Sequence, residues 1–131
     1  MLHLLLLLAA VASEPTASLP NKATASAAMQ KIRGSPQFEA TVNAIFDHAM
    51  PMLECVHKEL TARDRPAPAD HSAALQQLAL DFKDAGQHCG YAAEHASASA
   101  KIKSTFPDLS AAEIRGSASE LLNSAILATL M

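Results

Sequence analysis

Cys55 and Cys89 are the only two thiols in the chain, and each stands among groups that bind metals or move protons. His48, Met52, Cys55 and Glu59 recur at helical spacings, which would line them up along one flank of a helix. With His88 and Cys89 nearby, they could offer thioether, thiolate and imidazole donors to a soft metal. Asp84, His88, Tyr91 and His95 share a second face. Two imidazoles and a carboxylate there could hold zinc or titrate at about pH 6.

The plainer chemistry is favoured at both places. A soft-metal site needs reduced thiols, whereas an even cysteine count on a secretory route favours a disulfide. A histidine-bearing face is more often simply solvated. The sequence therefore assigns no metal, no cofactor and no catalytic residue, and reads Cys55 and Cys89 as a disulfide pair. A bridge between two chains, or buried free thiols, are the other arrangements.

Enzyme signatures are missing. The chain has no G-x-S-x-G, no H-E-x-x-H and no phosphate-cradling glycine loop. The run His57-Lys58-Glu59-Leu60 resembles a retention signal but is internal, where it cannot act as one. Asn21, Asn43 and Asn123 all lack Ser or Thr two residues on, so none is a glycosylation acceptor. Net charge is −3 and the ten Lys and Arg are scattered. A nucleic-acid binder needs a basic stripe, and a membrane-surface module needs a polybasic cluster. Neither is present in the sequence.

Compartment follows from the first residues. Leu2 to Ala12 read LHLLLLLAAVA, too short for a span of ~20 helical residues but suited to the apolar core of a signal peptide. Ala10 and Ala12 supply the small residues for cleavage before Ser13, which makes residues 1–12 the leader. No Lys or Arg precedes the apolar run, and this leader is shorter than the usual ~15–30 residues. A cut as late as Ser18 would restore the length. Residues 13–20 are polar, hold two prolines and read as a disordered lead-in. The C-terminal run Leu121 to Met131 lacks the polar spacer of a lipid anchor, and no transmembrane segment is expected.

The remaining residues, 21–131, read as a single all-α domain. Alanine and leucine dominate, aromatic residues are only 4% of the chain, and Trp is absent. Four helices are expected, as a small up-and-down or staggered bundle. The first covers Asn21 to Arg33, with Gly34 as a left-handed cap. Ser35-Pro36 starts the second. Its apolar face is Phe38, Val42, Ile45, Phe46, Ala49, Leu53, Val56 and Leu60, and Pro51 inside it predicts a kink. Asp70 caps the third, whose stripe runs through Leu75, Leu78, Phe82, Ala85, Cys89, Ala92 and Ala96. Gly86 and Gly90 mark either a break or a close helix approach. Ser110 and Glu113 form a capping box for the fourth, with Leu109 and Ile114 as a hydrophobic staple. That helix is apolar nearly all round, so it is either central in the core or covered by a partner.

These elements put a condition on the disulfide. A tight hairpin between the second and third helices would set Cys55 opposite Ala79, about ten residues or ~15 Å from Cys89. A bridge needs staggered helices or a bend at one of the glycines.

The function expected on these grounds is a secreted, extracellular, non-enzymatic binding protein, a carrier of a small apolar ligand. The motive is a high apolar fraction with few bulky aromatics to fill a core. The alternative is an extracellular interaction module, an effector, inhibitor or signalling bundle. It would use the apolar C-terminal helix to meet a protein partner or a second copy in a homo-oligomer.

Overall fold

A computed structural model of the chain describes residues 14–19, 29–63 and 69–130. The leader at 1–12, most of the first expected helix at 21–28 and the proline-rich linker at 64–68 lie outside the described residues. The protein is all-α, a small helical bundle tied by a Cys55–Cys89 disulfide, with no strand among the described residues. Among the described residues five helical segments follow in order: α1 at residues 29–33, α2 Phe38–Ala62, α3 His71–Cys89, α4 Tyr91–Thr105 and α5 Ala111–Ala128.

α2 is the hub and packs against α3, α4 and α5. Ile45, Ala49, Met52, Leu53 and Val56 form its buried stripe, at the helical spacings the sequence shows. The helix runs unbroken through Pro51, which is exposed and donates no backbone hydrogen bond to the preceding turn. Its start differs from expectation. Ser35, Pro36 and Gln37 form a turn in which the Ser35 hydroxyl accepts from the Gln37 N–H, and the helix begins only at Phe38. Gly34 is not a left-handed cap either, because Gly90 is the one positive-φ glycine among the described residues. A Ser35 N–H to Ile32 carbonyl bond makes the turn instead.

The third expected helix is two helices. Asp70 caps α3 as predicted, accepting from the Ala73 N–H. Gly90 then adopts φ +86°, a left-handed conformation that glycine reaches without steric cost, and α4 starts at the next residue. The break resets the buried face. Tyr91, His95, Ala98 and Ile102 now point inward, and Ala96 is exposed. Leu75, expected in the core, is 45% exposed and its neighbour Leu80 is 56% exposed.

α5 begins with the expected capping box. The Ser110 hydroxyl accepts from the Glu113 N–H at 3.1 Å, and the Ser110 N–H donates to Glu113 Oε1 at 3.0 Å. Lys31 of α1 also pairs with Glu113, and this hydrogen bond is the first cause holding the carboxyl below the ordinary glutamate range. Ile114, Leu121, Leu122 and Ile126 of α5 are all buried within the chain itself. Its buried side is covered by α2 and α4, while Ala111, Ala112, Arg115, Ser124 and Ala128 are exposed.

The disulfide is made by stagger. Cys55 lies about two-thirds of the way along α2 and Cys89 is the last residue of α3, with Cα atoms 5.7 Å apart. Glu59 faces His88, and Arg63 faces Asp81 at 3.1 Å. These pairs are about ten residues, or ~15 Å, out of register with a tight hairpin.

The lead-in requires the largest correction. Residues 14–19, expected to be a disordered lead-in, carry no helix or strand but are docked. Ala17 is 1% exposed and lies over Gly86, where an added Cβ would meet the Ala17 Cβ at 2.6 Å. The strap crosses α3 at its one buried glycine, which is why a helix-weakening residue stands there. The folded unit therefore includes residues upstream of the expected boundary at 21.

Candidate functional site

Neither constellation with ligating potential is assembled. Met52 is buried in the core and Cys55 is oxidised. His48 turns to α4, with Nδ1 at 2.8 Å from Glu94 Oε2, while Glu59 pairs with His88 across the α2–α3 seam. The break at Gly90 dissolves the second set. Asp84 and His88 stay on the exposed surface of α3, and Tyr91 and His95 turn inward. Among the described residues no group of three or more His, Cys, Asp or Glu could hold a metal.

The disulfide sits beside a charged seam. Arg63 at the end of α2 lies 3.1 Å from Asp81, 3.7 Å from Glu59 and 3.9 Å from Asp84. Its long side chain closes the α2–α3 pair on the linker side of the bridge. Partly exposed ion pairs of this kind contribute about 0–1 kcal/mol each. Their visible role is to fix the staggered register.

Inside the bundle, α4 and α5 share a polar chain. The Tyr91 hydroxyl donates to Asn123 Oδ1 at 2.9 Å and is also bonded to Ser119. His95 Nε2 lies 3.2 Å from the Arg115 carbonyl and 2.9 Å from Ser119 Oγ. A carbonyl only accepts, so Nε2 carries the proton, leaving the serine hydroxyl able to donate to Tyr91. Burial holds the His95 imidazole below the ordinary histidine range, and it stays neutral at about pH 7. The chain ends at the strap. The Ser18 N–H donates to Asn123 Oδ1 at 3.3 Å, and Asn123 Nδ2 donates to Ser18 Oγ at 3.2 Å.

Burial pushes the Tyr91 phenol up to about 12, because the phenolate would have to form inside the bundle. Tyr91 is the single tyrosine and there is no tryptophan, so phenolate absorbance reads this group alone. The native protein is expected to titrate near 12, and the urea-unfolded chain at about 10. A pKa raised in the folded state stabilises the fold fully below about pH 10, and that contribution is lost as pH climbs towards 12. A native midpoint of about 10 would mean the phenol is solvated and the polar chain is not formed.

A mostly apolar groove with a polar edge lies on another side of α2. It measures about 410 Å³ and is lined by Met50, Leu53, Glu54, His57, Lys58 and Thr129. Met50 is 45% exposed, a large apolar side chain turned to the solvent side. Leu53 forms the buried floor, and Thr129, just beyond α5, closes one end. His57 Nδ1 is buried and has no hydrogen-bond partner among the described residues. A second cleft of about 580 Å³ adjoins it at Pro51, Cys55, Glu59 and Ala62. The two share Glu54 and Lys58.

The chain matches no protein-family model, no curated protein and no solved structure. The groove must speak for itself. Sequence reasoning placed Leu53 in the core and gave Met50 and His57 no role. The signal was present: Met50, Leu53 and His57 recur at i, i+3 and i+7, a short stripe beside the main apolar face. Thr129 could not be found this way, because it reaches the groove through the tertiary fold.

Proposed function

We propose that this is a secreted, non-enzymatic binding protein that carries a small amphipathic ligand in the groove on α2. The observation that carries the reading is an exposed methionine over a leucine floor, beside His57, whose buried Nδ1 has no hydrogen-bond partner among the described residues. Apolar pockets with a few placed polar groups are the usual form of a small-molecule site, and methionine adapts its shape to irregular ligands. A ligand with an apolar body would cover Met50 and Leu53. A single hydrogen-bonding group on it would meet His57 or Lys58.

Secretion is supported by the apolar N-terminal run and by the disulfide, which persists in oxidising compartments. No helix among the described residues is long and apolar enough to cross a membrane. The interaction-module reading drew on the apolar C-terminal helix. Its large side chains are covered by the protein's own core, which favours the carrier.

The test is titration of the purified full chain with N-phenyl-1-naphthylamine, a neutral apolar fluorophore. Saturable binding is expected, and Met50→Glu should weaken it by about tenfold or more while leaving the thermal midpoint unchanged. No binding, or equal binding to Met50→Glu, overturns the carrier reading.

A further inference from the structure

We infer that the ligand of the α2 groove is a single-chain amphiphile with a zwitterionic head, its anionic group held by Lys58 and its cationic group by Glu54. This rests on the carrier reading and names the ligand class for that same site. The two side chains form the rim that the apolar groove shares with the neighbouring cleft. Both are exposed, and neither side chain has an ion pair or hydrogen bond among the described residues. They stand at i and i+4, a spacing at which opposite charges on a helix can pair. Here they do not pair, which leaves one free cation and one free anion on the rim. Glu59, the other carboxylate on the cleft, is already engaged by Arg63 and His88.

An apolar chain lying over Met50 and Leu53 leaves its head at this rim, because the rest of the groove lining is His57, Thr129 and the two charges. A fatty acid in that position would satisfy Lys58 but set its carboxylate beside Glu54, and like charges so placed repel. A long-chain amine would do the reverse, pairing with Glu54 beside Lys58. A head that carries both signs meets both side chains. Positions i and i+4 set the Cβ atoms about 5–6 Å apart, which suits a phosphate and an ammonium joined by a short carbon bridge. The cleft beyond the rim, about 580 Å³, gives such a head room. Each contact is exposed and changes affinity by about fivefold or less. The apolar chain therefore supplies most of the binding, and the head supplies the choice between ligands.

The experiment displaces N-phenyl-1-naphthylamine from the purified full chain at low ionic strength, with every probe below its micelle-forming concentration. Three probes with matched chains are compared: dodecylphosphocholine, tridecanoate and dodecyltrimethylammonium. Dodecylphosphocholine should displace the dye at about three- to fivefold lower concentration than either singly charged probe. Glu54→Gln should remove its advantage over tridecanoate, and Lys58→Gln its advantage over dodecyltrimethylammonium. Both positions are exposed on α2, so the thermal midpoint should stay unchanged in each variant. If the dye binds but all three probes displace it equally, or none does, or a singly charged one does so best, the zwitterionic head is overturned and the carrier stands. A preference that survives both substitutions overturns it as well. If the dye does not bind at all, the carrier reading and this inference fall together.

Discussion

Replacing Cys55 and Cys89 together with alanine is expected to cost about 3–4 kcal/mol of stability, the largest loss available without touching the core. The bridge closes a loop of 34 residues in sequence separation, and cross-linking removes much of the conformational freedom of that loop in the unfolded chain. The folded state changes less. Arg63 still reaches Asp81 and Glu59 still faces His88, so the staggered register of α2 and α3 has non-covalent support. Urea unfolding should show a lower midpoint and a steeper denaturant slope, because the uncrosslinked chain exposes more surface when unfolded. Helical content at low urea should be unchanged. A loss below about 1 kcal/mol would mean that the bridge does not constrain the unfolded chain.

Leu122→Ala comes next, at about 3 kcal/mol. Leu122 is fully buried in α5, with Ile126 and Ala118 equally shielded beside it. Truncation removes apolar contact and leaves a cavity that the packed helices can only partly close. Leu80→Ala on α3 supplies the contrast. Leu80 is 56% exposed and its truncation should change stability by less than about 0.5 kcal/mol. Urea unfolding measures both. The pair separates the two positions that the sequence allowed for an all-round apolar helix. If α5 served chiefly as a partner surface, Leu122→Ala would leave the isolated chain's stability nearly unchanged and alter its association instead.

The parts of the fold that were legible in the sequence are those with bulky, periodic residues or reciprocal local bonds. α2 announced itself through Ile45, Ala49, Leu53 and Val56, and the start of α5 through Ser110 and Glu113. The division of the third expected helix was not legible. Gly86 and Gly90 both lack a Cβ for different reasons, one for close approach of Ala17 and one for a positive φ. Each local pattern fits either role, and only the tertiary fold tells them apart. The two metal-like constellations failed for a related cause. The first lies on unbroken α2 but loses Met52 to the core and Cys55 to the disulfide, and in the second the break at Gly90 turns Tyr91 and His95 away from Asp84 and His88. The strap was misread because a single buried alanine among polar residues has no period to detect.

The strap also sets an order of events. Ser18 meets Asn123 across 105 residues, far beyond the span of the disulfide loop. Joining ends so distant costs about 1 kcal/mol more in closure entropy than joining those of the cysteine loop. The groove that receives it also needs α3 and α5 in place on either side. A chain emerging from the ribosome therefore carries Ser18 without its Asn123 partner until α5 has been made. Seating Ser18 on Asn123 is therefore among the last long-range contacts the protein can form, and one it can release without unwinding a helix.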